Sequence, residues 1–198
     1  MSVIELDNIE LIKSILNFPD KDTYYYLQVL ERKKEYTRQR YSSPITSFQT
    51  LEKLLPNIKD VCQKFEARAY ISLLPRSIEK YTKELGIVVL ERIKRGNYVS
   101  SNFRLTDSVA LHPETVKKRG NLWLFDVDSK DYLKTVKDWC NTNNITIKTI
   151  IPTFSGYHFI VQPFNPSLLD IPGTMVVRVD DIKFDIKKDS NTIIYGIS

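Results

Sequence analysis

Two aspartates flank a valine in Trp123-Leu-Phe-Asp126-Val-Asp128-Ser129. In a strand, residues two apart face the same way, so Asp126 and Asp128 would project together with Val127 on the opposite face. Adjacent carboxylates disfavour each other's ionisation, and a cation relieves them. Hard oxygen ligands favour Mg²⁺ or Mn²⁺. The competing reading is a strand end with two solvated aspartates. A second constellation is Thr153-Phe154-Ser155-Gly156-Tyr157-His158. Gly156 permits a tight turn or a close backbone approach to a ligand. Ser155 and His158 are then placed to hydrogen-bond phosphate oxygens, unless this is a plain hairpin with an ordinary half-buried histidine. A third is Asp181-Ile-Lys183-Phe-Asp185-Ile-Lys187, whose alternation sets Ile182, Phe184 and Ile186 on one face and the charged residues on the other. Either its charged face is simply solvated, or an aspartate there is a third metal ligand with lysine nearby for phosphate.

Taken together, three strands each present polar groups on one face: two carboxylates, a histidine beside a Ser-Gly turn, and a carboxylate near lysines. That inventory fits nucleotidyl transfer by two metal ions, which activate the attacking 3′ oxygen and stabilise the leaving pyrophosphate. Basic groups neutralise the triphosphate.

The ordered motifs resemble those of the archaeo-eukaryotic primase (primase-polymerase) superfamily, in its small phage or mobile-element form. The likeness runs through Asp126-Val127-Asp128, Ser155-Gly156-Tyr157-His158 and Phe184-Asp185, and covers roughly residues 67–195. Asp185-Ile186-Lys187, a short turn and then Asn191-Thr-Ile-Ile-Tyr195 also resemble the family and favour Asp185 over Asp181. So does the strand and arginine of Ala67-Arg68 through Arg76-Ser77. The resemblance implies that Asp126, Asp128 and Asp185 are catalytic and hold two Mg²⁺ or Mn²⁺ ions. Ser155, Gly156, His158 and Lys187 would bind the nucleotide. Arg68, Arg76, Lys117 and Lys118 would contact nucleic acid. It further implies a DNA template, nucleoside triphosphates, and helicase or accessory replication subunits as partners.

The elements that must position these residues are read from periodicity and breakers. A helix is expected over Leu6–Asn17, a strand over Thr23–Leu30, and a helix over Phe48–Phe65 capped by Ser47. Ala69–Leu74 reads as a buried strand, followed by a helix from Ser77 to about Arg95; 96–120 reads as irregular. In the second half, Leu122–Val127 is a strand and Asp131–Asn141 a helix. Ile145–Thr153 and Tyr157–Phe164 are strands joined by a tight turn, and Thr174–Val179, Ile182–Ile186 and Ile193–Tyr195 are further strands. This order predicts an α+β or mixed α/β chain. The resemblance implies an N-terminal α/β module (about 1–118) packed on an RRM-like C-terminal sheet (about 119–198), with the active site between.

The 198 residues carry 29 Lys and Arg against 24 Asp and Glu, a net charge of +5 that suits a polyanionic partner without requiring one. The start lacks the basic and apolar regions of a signal peptide, and no apolar run approaches the ~20 residues of a membrane span. A cytoplasmic protein with no membrane association is therefore expected. Two distant cysteines, Cys62 and Cys140, make no disulfide framework, and with two histidines, His112 and His158, no zinc spacing arises. No Gly-x-x-x-x-Gly-Lys and no Gly-x-Gly-x-x-Gly occurs, which disfavours a Walker ATPase and a dinucleotide dehydrogenase. Two other functions stay open. One is a metal-dependent nuclease using the same carboxylates; the other is a non-catalytic nucleic-acid-binding replication subunit on a primase fold.

Overall fold

The computed structural model describes residues 4–97, 104–117, 122–169, 176–179, 182–188 and 190–197. Among them, strands and helices alternate as an α+β chain. The order is β1 (Glu5–Asp7), α1 (Ile9–Lys13), β2 (Thr23–Arg32), β3 (Thr37–Ile45), α2 (Phe48–Phe65), β4 (Ala67–Ser72), β5 (Arg76–Ser77), α3 (Ile78–Lys94) and α4 (Arg104–Ala110). There follow β6 (Trp123–Val127), α5 (Leu133–Thr142), β7 (Ile147–Pro152), β8 (Tyr157–Val161), β9 (Val176–Val179), β10 (Ile182–Lys187) and β11 (Asn191–Ile197). Two antiparallel sheets result. The first runs β1-β11-β4-β2-β3 with β5 paired to β2, and the second runs β7-β8-β6-β10-β9.

Local chemistry accounts for the scaffold helix. Ser47 Oγ accepts the Thr50 N–H at 3.1 Å, capping α2. Leu51, Ile58 and Cys62 recur on one helical face and are fully buried under the first sheet. The helix ends where Glu66 turns left-handed, at φ +46, returning its N–H to the Cys62 carbonyl. Pro56 lies on the exposed side and does not end the helix.

The second sheet is covered on both faces. Phe125, Val127, Phe159 and Phe184 point one way, onto Val136 and Cys140 of α5. Leu124, Ile151 and Ile160 point the other way and join the core built on α2 and the first sheet. Asp126 shares the parity of Leu124, so the alternation of β6 aims it between the sheets. Cys62 and Cys140 lie in different cores, where burial pushes both thiols up to about 12.

Several expectations change. The start is not one helix: Glu5–Asp7 pairs with β11, and only Ile9–Lys13 coils. Residues 37–45, for which the sequence displays no element, turn back as β3, registered against β2 from Tyr25↔Ile45 to Arg32↔Thr37. The segment read as irregular contains α4. Ser129 caps a short 3₁₀ turn, Lys130–Tyr132, and α5 begins after it. Finally, β11 carries the chain back between β1 and β4, so a boundary near residue 118 does not separate the two sheets. No helix among the described residues is long and apolar enough to cross a membrane.

Candidate active site

Asp126 occupies the middle strand of three. Its register partners are His158 on β8 and Asp185 on β10. Directly opposed residues of antiparallel strands project to the same face, so all three side chains share one surface. Lys187, two residues beyond Asp185, reaches back across β10 and donates a short hydrogen bond to Asp126 Oδ2. His158 Nε2 lies 3.4 Å from Asp126 Oδ1, and its Nδ1 lies 2.9 Å from Thr192 Oγ1 on β11. The imidazole is thus held by groups from both sheets.

This arrangement sets the charge of Asp126. The His158 ring beside it, and then the Lys187 ammonium, hold its carboxyl well below the usual carboxylate range, against burial that acts to raise it. The group is therefore ionised throughout the physiological range.

Asp126, His158 and Lys187 stand at a cleft of about 510 Å³ between the sheets. Asp126, Asp128, His158 and Lys187 line it from the second sheet, with Ser155 from the β7–β8 turn. Asp128 is exposed and lies just past the end of β6, so the paired carboxylates share the cleft although only Asp126 is in the strand. Asp185 is exposed opposite Asp126 and is not part of the cleft lining. Ser155 is exposed at the turn.

Gly156 has a steric role. A Cβ there would stand 1.9 Å from the Val127 carbonyl oxygen and under 3 Å from backbone atoms of Asp128 and Ser129. The close approach read from the sequence is therefore to the chain's own backbone: the turn carrying Ser155 is pressed on the segment carrying Asp128. Thr153 closes that turn, accepting the Gly156 N–H on Oγ1 at 2.9 Å and donating its own N–H to the Gly156 carbonyl at 2.9 Å.

No protein-family model, curated protein or solved structure matches this chain. The geometry alone therefore carries the functional reading.

The residues expected to contact nucleic acid divide. Arg68 and Arg76 line the cleft from the first sheet. Arg76 is 1% exposed and donates to the His112 carbonyl and to Thr115 Oγ1, both at 2.9 Å, which anchors the wall. Lys117 is paired with Asp20 at 2.7 Å and Asp22 at 3.2 Å and does not line the cleft. Lys118, like Asp181, lies outside the described residues.

Sequence reasoning did not single out Tyr70, Thr192 or Asn191, which reach the site from the first sheet. Only the pairing of β11 with β4 brings them there, and nothing local marks it.

As donors, Asp126, Asp128 and Asp185 suit a hard divalent cation. In the structure the Lys187 ammonium already sits on Asp126, and no three His, Cys, Asp or Glu side chains are grouped to hold a metal among the described residues. Metal loading would thus require Lys187 to leave Asp126.

Proposed function

We propose that this chain is a metal-dependent, template-directed nucleotidyltransferase, a primase-polymerase core acting on DNA in replication. The observation that carries this is Asp126 flanked in register by His158 and Asp185 on one face, with Asp126, His158 and Asp128 lining the cleft between the sheets. The sheet supports the same reading. In β6-α5-β7-β8 followed by β10, the first strand is central and the order is β7-β8-β6-β10, the strand order of an RRM-like sheet, with a short 3₁₀ turn (Pro166–Leu169) between β8 and β10 among the described residues where that unit has its second helix.

Asp126, Asp128 and Asp185 would hold the Mg²⁺ or Mn²⁺ ions. When bound, these ions would activate the 3′ oxygen and stabilise the departing pyrophosphate. His158, oriented by Thr192 through Nδ1, would turn its Nε2 from Asp126 to a phosphate oxygen of the incoming nucleotide once Asp126 holds metal, with the Ser155 hydroxyl at the rim of the same cleft. Lys187, once off Asp126, has the length and charge to meet a phosphate.

Primer extension on a DNA template with Mg²⁺ or Mn²⁺ tests this. Wild type is expected to extend, and Asp126→Ala/Asp128→Ala to lose extension; equal activity in both would sink the mechanism. The Lys187–Asp126 pair favours one second reading, a non-catalytic nucleic-acid-binding subunit whose carboxylate only secures a lysine. That reading predicts salt-sensitive DNA binding unchanged in the double variant and no extension by wild type.

A further inference from the structure

The first-sheet wall of the cleft holds a feature of which the reading above names only Arg68, as a general nucleic-acid contact. Leu30 and Arg68 are register partners on β2 and β4. Arg32 and Tyr70, each two residues further along its strand, therefore share their face. The Arg32 guanidinium lies over the Tyr70 ring, 4.9 Å from its centroid. The Arg68 guanidinium lies over the Phe154 ring at 4.4 Å, and Phe154 comes from the turn beside Ser155. All four residues line the cleft.

These arginines differ from several other cations of the chain: Lys64 and Lys188 also lie over rings, Phe65 and Trp123, but neither lines the cleft. Lys13, Lys33, Lys59 and Lys117 are each paired with a carboxylate. Arg40 also lies over an aromatic ring, Phe65, yet it is paired with Glu31. Among the described residues no carboxylate pairs with Arg32 or Arg68. An aromatic ring holds a guanidinium flat and leaves its edge N–H groups directed outward, the geometry that grips an oxyanion through two parallel bonds. Across the cleft lining, Arg32, Arg68, Arg76 and Lys187 outnumber Asp126 and Asp128 four to two.

We propose that Arg32 and Arg68, each laid on an aromatic ring, form a two-point phosphate clamp on the cleft wall facing Asp126. Its ligands are phosphates of a polynucleotide strand or of a nucleoside triphosphate. Tyr70 and Phe154 are positioning residues that fix the two guanidinium planes. The clamp deepens the nucleotidyltransferase reading by naming what the opposite wall holds, but it needs neither metal nor turnover.

Binding measured in EDTA separates the two ideas. One arm titrates a fluorescent single-stranded oligonucleotide, and the other a nucleoside triphosphate alone, over a series of salt concentrations. Arg32→Gln/Arg68→Gln is expected to weaken the recognised ligand at least about ten-fold, two charge-assisted contacts being lost. For the oligonucleotide, the slope of log affinity against log salt falls by about 1.4, two phosphate contacts at ~0.7 each. The charge-retaining Arg32→Lys/Arg68→Lys recovers part of the affinity without the two-bond grip. Tyr70→Leu and Phe154→Leu weaken binding without altering the charge. Arg95→Gln, which removes a charge from the exposed end of α3, leaves the slope unchanged and serves as the control. Loss in the oligonucleotide arm alone assigns the clamp to the strand, and loss in the triphosphate arm alone assigns it to the nucleotide. Unchanged affinity in both arms, with the Lys and Gln variants folded by circular dichroism, overturns the clamp. A wild type that binds through these arginines but never extends a primer would defeat the catalytic reading and leave the clamp standing.

Discussion

Asp126 shows how one side chain ties charge to stability. Its carboxyl titrates below the usual range in the folded chain because His158 and Lys187 hold the charged form, whereas in the unfolded chain it titrates near ~3.9. A depressed folded value means that the unfolded state takes up the proton first. The contribution is therefore complete above the unfolded value and is lost as pH falls toward the folded one. Asp126→Asn should cost about 1–2 kcal/mol at pH 7, for a charge-assisted bond discounted by the half-exposed lysine. The gap between wild type and variant should narrow by pH 3. Urea midpoints at the two pH values check this, and a gap that stays constant or widens on acidification refutes it. The motif order marked Asp126, His158 and Asp185 in the sequence. It did not show that Lys187 folds back on Asp126 or that Thr192 meets the ring, because both depend on register across strands distant in sequence.

Among the elements, those with strong local signals are the ones the sequence displays. Ser47 and its periodic apolar face announce α2, and the alternation of Ile182, Phe184 and Ile186 announces β10. Edge elements are hidden. β3 has a polar, half-exposed pattern and a proline, so only its pairing with β2 makes it a strand. Glu5–Asp7 abuts the helical spacing of Ile9 and Ile12, and a β11 nearly two hundred residues away decides its state. Glycines show the same divide between local and distant causes. Gly86 lies inside α3 with nothing within 4 Å of an added Cβ, so Gly86→Ala should stabilise by about 0.5–1 kcal/mol through helix propensity. Gly156→Ala meets backbone that cannot rotate away, so it should cost about 2–4 kcal/mol as the turn is forced off β6. It should also move Ser155 relative to Asp128. Denaturant midpoints of the two variants should shift in opposite directions, and a neutral Gly156→Ala would show that the turn does not depend on this contact.

At the scale of the molecule, the two sheets share their interior and their ends. Leu124, Ile151 and Ile160 of the second sheet are buried in the first sheet's core. Asn8 donates to the Pro152 carbonyl at 3.0 Å and to the Ile193 carbonyl at 3.2 Å, joining β7 to β11, and the His158–Thr192 contact makes a second tie. β11 is an inner strand of the first sheet, yet it follows β10 of the second after three residues. Neither sheet can lose its order without exposing part of the other's core. The chain should therefore unfold as one unit rather than as the two modules that the family resemblance implies. Its tryptophans allow the test, since Trp123 and Trp139 both pack in the core under α5 and report on the second sheet alone. Far-ultraviolet circular dichroism reports on both sheets and all helices. The two signals should give the same urea midpoint and slope. If tryptophan emission changes at a separate midpoint, the sheets are independent, and the cleft between them would rest on two bodies free to separate rather than on one framework that fixes Asp126 against Arg68.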